Sequence, residues 1–146
     1  MTANLALRRV GGDDLGYIET LLSRNGLPSR DIGSGSARFF LGLVDDRPVG
    51  VIGLEQYGSD GLLRSLVIVR SARGKGYGAG LCMELEERAS RDGIDRLFLL
   101  TMTAAPFFSD FGYVELDRKM APKAIQETSQ FTELCPDTAT CLMKEL

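Results

Sequence analysis

Residues 66–80 read Leu-Val-Ile-Val-Arg-Ser-Ala-Arg-Gly-Lys-Gly-Tyr-Gly-Ala-Gly. The apolar run Leu66–Val69 predicts a strand, and the apolar and small residues recurring from Leu81 to Ala89 predict a helix. Between them lies a basic, glycine-rich turn. A strand that feeds such a turn at a helix N-terminus offers several backbone N–H groups to a phosphate. Gly74, Gly76 and Gly78 would let the backbone approach an anion without Cβ clashes, while Arg73 and Lys75 add positive charge. The spacing is not that of the common nucleotide loops. There is no Gly-x-x-x-x-Gly-Lys-Ser/Thr, and Gly-x-Gly-x-x-Gly fails at Ala79.

The pattern that fits is Arg/Gln-x-x-Gly-x-Gly/Ala, here Arg73-Gly74-Lys75-Gly76-Tyr77-Gly78. It resembles the pyrophosphate-binding signature of the Gcn5-related N-acetyltransferases. That resemblance implies acetyl-CoA as co-substrate, with Arg73, Gly74, Lys75, Gly76, Tyr77, Gly78 and Ala79 around the pyrophosphate. It also implies a sheet that splays after the strand preceding the loop. Backbone groups of Leu66, Val67 and Ile68 would pair there with the pantetheine arm.

A second stretch, Thr-Met-Thr-Ala-Ala-Pro-Phe-Phe-Ser-Asp-Phe-Gly-Tyr at 101–113, resembles the family pattern Asn-x-x-Ala-x-x-Phe/Leu-Tyr-x-x-x-Gly-Phe. Ala104, Phe107, Gly112 and Tyr113 fall in place, which puts Thr101, Phe107 and Phe108 beside the cofactor. Thr101 stands where Asn is common. Phe108 stands where the family often has the Tyr that protonates the departing thiolate, so Tyr113, Tyr77 or water would have to replace it. Arg70 stands where a Pro often follows the strand.

Working outward, the chain reads as an α/β, more strictly α+β, mixed sheet with helices on both faces. Strands are expected at Leu5–Val10, Arg38–Val44, Val49–Tyr57, Leu62–Val69, Arg96–Thr101, Tyr113–Arg118 and Ala139–Lys144. Helices are expected after Asp13 and Asp14, from Gly76 to Asp92, and from Ala104 to Phe111 with Pro106 in its first turn. Residues 29–37 read as a loop or a short second helix. Residues 119–137 read as a helix or loop over the acceptor pocket, with Lys119, Lys123, Thr128 and Phe131 as candidate acceptor contacts. Asp45–Pro48 reads as a turn.

With 146 residues, 44% hydrophobic and 25% charged, the chain is expected to form a single domain over 1–146 with a real core. A net charge of −3 argues against a nucleic-acid partner. The N-terminus lacks a signal-peptide pattern and no apolar run is long enough for a membrane span, so no membrane partner and a cytoplasmic location are expected. The three cysteines, Cys82, Cys135 and Cys141, include no Cys-x-x-Cys pair, and no metal site is expected. The absence of any His excludes Ser-His-Asp and Cys-His mechanisms.

Acetyl transfer needs a neutral amine to attack a thioester, so the protein positions, deprotonates and stabilises an oxyanion. Without His, the base would be a carboxylate or a water it holds. Glu55, in the apolar strand 51–57, is the first candidate. Arg64 interrupts the apolar run 62–66. It would either grip an acid group of the acceptor or pair with Glu55, and pairing would make Glu55 a poorer base. Ser65 would donate a hydrogen bond near the thioester.

Five further phrases carry a narrower resemblance: Gly-Leu-Pro at 26–28, Gly-Leu-Glu-Gln-Tyr-Gly at 53–58, Gly-Leu-Leu-Arg-Ser-Leu-Val at 61–67, residues 121–131 and Leu-Cys-Pro at 134–136. Together they look like the arsenic-resistance N-acetyltransferase subgroup. This implies a small-molecule amine as acceptor, such as an arsenic-containing or phosphinic amino acid, and a homodimer is compatible with the fold. Two other readings stay open. One is a non-catalytic acyl-CoA-binding module, supported by Phe108. The other is an arsenite binder using Cys135 and Cys141, with or without Cys82.

Overall fold

The computed structural model describes residues 5–27, 29, 37–134 and 138–146. Pro28, residues 30–36 and Cys135 therefore lie outside the described residues. The chain forms β1 (Leu5–Arg9), α1 (Leu15–Arg24), β2 (Arg38–Val44), β3 (Arg47–Tyr57), β4 (Asp60–Ile68), α2 (Tyr77–Arg91), β5 (Arg96–Thr101), α3 (Ala105–Asp110), β6 (Val114–Glu115), α4 (Lys123–Gln126) and β7 (Thr140–Glu145). These strands build one seven-stranded sheet in the order β1-β2-β3-β4-β5-β7-β6. All neighbours are antiparallel except β4 and β5, which run parallel.

Alternation along the strands assigns the two faces. Ile18 and Leu22 of α1 pack on Phe39, Leu41, Val51 and Val67. Leu81, Cys82, Leu85 and Ala89 of α2 pack on the opposite face with Phe40, Ile52, Leu54 and Leu63. Ile125 and Phe131 cover the far end of the first face with Leu62, Phe98 and Cys141. Helix α2 stops at Gly93, whose φ is +90°. Gly93 N–H donates to Ser90 O and Ile94 N–H to Ala89 O, the hydrogen-bond pair of a Schellman ending.

Three boundaries differ from expectation. The β2–β3 turn is the two-residue Asp45-Asp46, with φ of +51° and +64°. Asp tolerates the left-handed region better than most residues, so β3 starts at Arg47 and Pro48 lies within it. The strand expected at Tyr113–Arg118 is only Val114–Glu115, paired with Met143 and Leu142. It ends because the Asp117 carboxylate accepts the Lys119 N–H and turns the chain into a 3-10 turn over Arg118–Met120. Residues 119–137 are not one helix: α4 is short, and a wide π turn follows over Gln130–Leu134. Of the helically spaced run Ala121, Ala124, Ile125, Thr128 and Phe131, all are buried except Ala124, which is exposed.

Candidate active site

Strands β4 and β5 pair over only Asp60–Leu62 and Arg96–Phe98. Beyond that they part, while β3 continues along the other edge of β4 to Ile68 and β7 follows β5 to Thr101. The gap is a cleft of about 300 Å3 walled by Leu63–Ile68 on one side and Leu99–Thr101, Thr103, Ala104, Phe107 and Phe108 on the other, with Asn25, Leu27 and Arg73 completing it. Val69 N–H donates to Val49 O at 2.8 Å, so the preceding carbonyl, Ile68 O, points the opposite way, into the cleft. An extended ligand in the gap would meet a strand edge with N–H and C=O groups to offer.

The glycine loop follows at once. Gly74 and Gly76 have φ of +78° and +82°, and a Cβ on either would find nothing within 4 Å. These glycines therefore serve backbone conformation and leave open space outside the loop. Gly76 caps α2, whose first N–H groups have no partner inside the helix. Gly78 adjoins the cleft: a Cβ there would lie 3.5 Å from Phe107 Cζ and 3.8 Å from Ile68 Cγ1. Lys75 and Tyr77 instead border a separate depression of about 520 Å3 with Arg47, Val69 and Ser71. Arg73 is fastened. Its Nε donates to Ile68 O at 3.0 Å and its Nη2 to Asn25 Oδ1 at 2.6 Å.

Glu55, Arg64 and Ser65 come together. Arg64 Nη1 lies 3.0 Å from Glu55 Oε2, and Arg64 Nε donates to Ser65 Oγ at 3.1 Å. The Tyr57 hydroxyl donates to the other oxygen, Glu55 Oε1. Phe39 lies under the guanidinium, 5.5 Å from Cζ to ring centre. The pair is buried, with side-chain exposures of 0% for Arg64 and 6% for Glu55. Ser65 has φ of +61°, a left-handed conformation in a residue with a Cβ.

On the other wall, Thr101 Oγ1 accepts the Ala104 N–H at 3.0 Å in the turn that precedes α3. Phe108 is buried edge-to-face against both Phe107 and Tyr113. Tyr113 is not available to protonate a thiolate in the cleft. Its hydroxyl donates to Glu86 Oε2 on α2, and burial, then the Glu86 carboxylate, pushes its phenol well above the ordinary range. Tyr77 does not line the cleft either. Among the described residues the hydroxyls that do are Ser65, Thr101 and Thr103.

Asn25, Leu27 and Thr103 line the cleft without having been singled out. Asn25 follows α1 directly, and no local signal ties it to Arg73, 48 residues away. Cys82 and Cys141 are buried in different cores on opposite faces of the sheet. Burial is the leading cause that pushes their thiols up, to about 12 and about 11. No cluster of three metal-ligating side chains occurs among the described residues, and none of their helices is long and apolar enough to cross a membrane.

The profile of the Acetyltransferase (GNAT) family matches residues 15–113, from α1 through the glycine loop to Tyr113. The chain belongs to that family. An uncharacterized N-acetyltransferase from Chlorobaculum tepidum is 33% identical over 63 residues, covering 43% of this chain and 40% of the relative. Among solved structures, N-acetylglutamate synthase from Neisseria gonorrhoeae, complexed with coenzyme A and N-acetyl-glutamate, superposes with a TM-score of 0.84 at 20% identity. That match covers 100% of this chain and 36% of the synthase. A GNAT acetyltransferase from Staphylococcus aureus gives 0.74 at 17% identity, over 98% of this chain and 99% of the other. The matches to the curated relative and to the synthase thus span well under half of those proteins. At these identities the structural likeness shows the GNAT fold.

Proposed function

We propose that this chain transfers the acetyl group of acetyl-CoA to the amine of a small molecule. The observation that carries the reading is the continuity of two features: the cleft where β4 leaves β5, and the open, left-handed glycine loop against its wall. The residues fit the co-substrate. The backbone of Gly74–Ala79 at the N-terminus of α2 would hold the pyrophosphate, because the loop offers N–H groups and leaves no Cβ in the way. The exposed edge of Leu66–Ile68 would take the pantetheine arm as an added strand. Bound acetyl-CoA supplies the thioester carbon that the amine attacks, with the CoA thiolate leaving.

This chain's part is mainly positioning. Ser65, Thr101 and Thr103 carry the hydroxyls that line the cleft, and Phe107 and the buried Phe108 make part of its wall apolar. Among the described residues no carboxylate lines the cleft, so the acceptor's ammonium would lose its proton to water at the open end. The acceptor class is supported by the N-acetyl-glutamate of the Neisseria structure. The resemblance of residues 53–58, 61–67 and 121–131 to the arsenic-resistance subgroup supports an acceptor such as an arsenic-containing or phosphinic amino acid.

The test is thiol release from acetyl-CoA by purified protein across a panel of arsenic- and phosphorus-containing amino acids, common amino acids and polyamines. Turnover on one amine class supports the reading. Binding without thiol release on any amine would favour a binding module, the reading that Phe108 suggests. No binding of acetyl-CoA would sink both.

A further inference from the structure

The register of β3 and β4 changes at one point. Gly53 pairs with Arg64 and Val51 with Val67, so two steps on β3 face three on β4. The extra residue flips the parity of β4. Leu62 and Arg64 face the α1 and α4 side, yet beyond the bulge Val67 is the residue on that side, and Leu66 and Ile68 pack with the α2 core. Ser65 sits at the flip with a φ of +61°. A bulge bends its strand and re-aims backbone groups. Here the re-aimed groups are those of Leu66–Ile68 that line the cleft.

A left-handed non-glycine residue persists only where its surroundings over-determine it. Three side chains do so here. Arg64 Nε holds Ser65 Oγ, Glu55 Oε2 holds Arg64 Nη1, and the Tyr57 hydroxyl holds the other oxygen of Glu55. Gly53 makes the crossing possible. A Cβ there would lie 3.1 Å from Arg64 Cγ and 2.9 Å from Phe39 Cε1, so the stem of Arg64 needs its cross-strand partner to be glycine. Gly53, Glu55 and Tyr57 share one face of β3, all toward Arg64.

We propose that Tyr57, Glu55 and Arg64 are positioning residues: a buried brace that fixes the Ser65 bulge and, through it, the cofactor-facing edge of β4. This deepens the acetyltransferase reading and rests on it for its kinetic part. A proton acceptor must reach the amine. Glu55 instead has both oxygens engaged and is almost wholly enclosed. The brace acts on the strand edge and leaves proton transfer to other groups.

The experiment compares unmodified protein, Tyr57→Phe and Glu55→Gln by backbone amide NMR and by kcat against pH. Tyr57→Phe removes one hydroxyl and keeps the ion pair, so it remains folded even where Glu55→Gln does not. The brace predicts that Tyr57→Phe shifts the amide resonances of Ser65–Ile68 beyond those of β1 and β7. It predicts a kcat loss of about 10-fold in Tyr57→Phe and about 100-fold in Glu55→Gln, the scale of a displaced reacting geometry. The shape of the pH profile stays the same in both. Loss of the acidic limb in Glu55→Gln, with Ser65–Ile68 amides unmoved in Tyr57→Phe, makes Glu55 the base and overturns the brace. Unmoved amides with unchanged kcat overturn it as well. If the unmodified protein releases no thiol, the acetyltransferase reading fails separately, and the amide shifts alone decide the brace.

Discussion

The Arg73 guanidinium spans two elements, donating to Ile68 O at the end of β4 and to Asn25 Oδ1 at the C-terminal end of α1. Asn25 is itself held, its Nδ2 donating to Leu21 O at 2.8 Å. The first residue of the glycine loop is thereby tied to a helix on the opposite side of the sheet. Asn25→Ala frees Arg73 to sample other rotamers while leaving the loop sequence intact. The expected outcome is a several-fold weaker acetyl-CoA affinity by calorimetry, with the melting temperature nearly unchanged because the contact is exposed. Asn25→Asp should also weaken affinity, since a carboxylate beside Arg73 offsets positive charge near an anionic ligand. Equal affinity in all three proteins would show that the tie does not position the loop.

Gly50 of β3 pairs with Ile68 of β4 where a side chain has no room. A Cβ there would sit 2.5 Å from Val67 O and 3.3 Å from Ile68 Cα, so it meets backbone and no rotamer change relieves it. Gly50→Ala should cost about 1–3 kcal/mol of stability by urea unfolding, as for other overpacked sites. It should also impair acetyl-CoA binding, because the strand it displaces is the cleft wall. A variant with unchanged midpoint and affinity would contradict the close approach.

The end of α3 is fixed from behind by a compact polar cluster. Tyr113 donates to Glu86 Oε2, and Lys144 Nζ donates to Glu86 Oε1 and Phe111 O. Lys144 also lies 4.7 Å over the Phe111 ring. Tyr113→Phe removes one hydrogen bond to a charged acceptor and keeps the ring against Phe108, so about 1.5–3 kcal/mol of stability should be lost. Catalysis at saturating substrate should persist, because the hydroxyl faces α2 and not the cleft. A large fall in kcat with unchanged stability would return Tyr113 to the candidate acids.

Much of this architecture was legible because local signals agreed. The β-branched run, the glycine loop and the apolar periodicity of 81–89 all pointed to strand, turn and helix, and each stands where expected. Arg64 was conspicuous for a sound reason, since a charge in a central strand demands a partner, and that partner is Glu55. What was not legible depends on contacts distant in sequence or on backbone geometry. Asn25 gave no signal because its link to Arg73 crosses the fold. The Ser65 bulge left no composition signal, because Ser is an ordinary residue and the left-handed φ comes from tertiary restraint. The segment 119–137 carried helical spacing, yet Asp117 and the π turn break the helix, burying Ala121, Ile125, Thr128 and Phe131 and leaving Ala124 exposed.

Two buried thiols give the last prediction. Cys82 packs between α2 and the sheet, and its thiol is pushed up to about 12 by burial first and Glu86 second. Cys141 packs on the other face and is pushed up to about 11 by burial first, with Arg118 opposing. In both, the folded state holds its proton more tightly than the unfolded chain, whose thiols ionise near 9. The stability this contributes is complete below about pH 9 and is lost as pH rises toward 11 and 12. Tyr113 acts in the same sense, its raised phenol adding to alkaline sensitivity. Urea midpoints should therefore fall between pH 9 and 11, and more steeply than in Cys82→Ala. At pH 8 a trivalent arsenical or iodoacetamide should leave Cys82 and Cys141 unmodified in the native protein and label both after unfolding, read by peptide mapping. A native-state adduct on either thiol would mean that the sheet opens far more readily than its packing implies, and would revive the thiol-based reading for that residue.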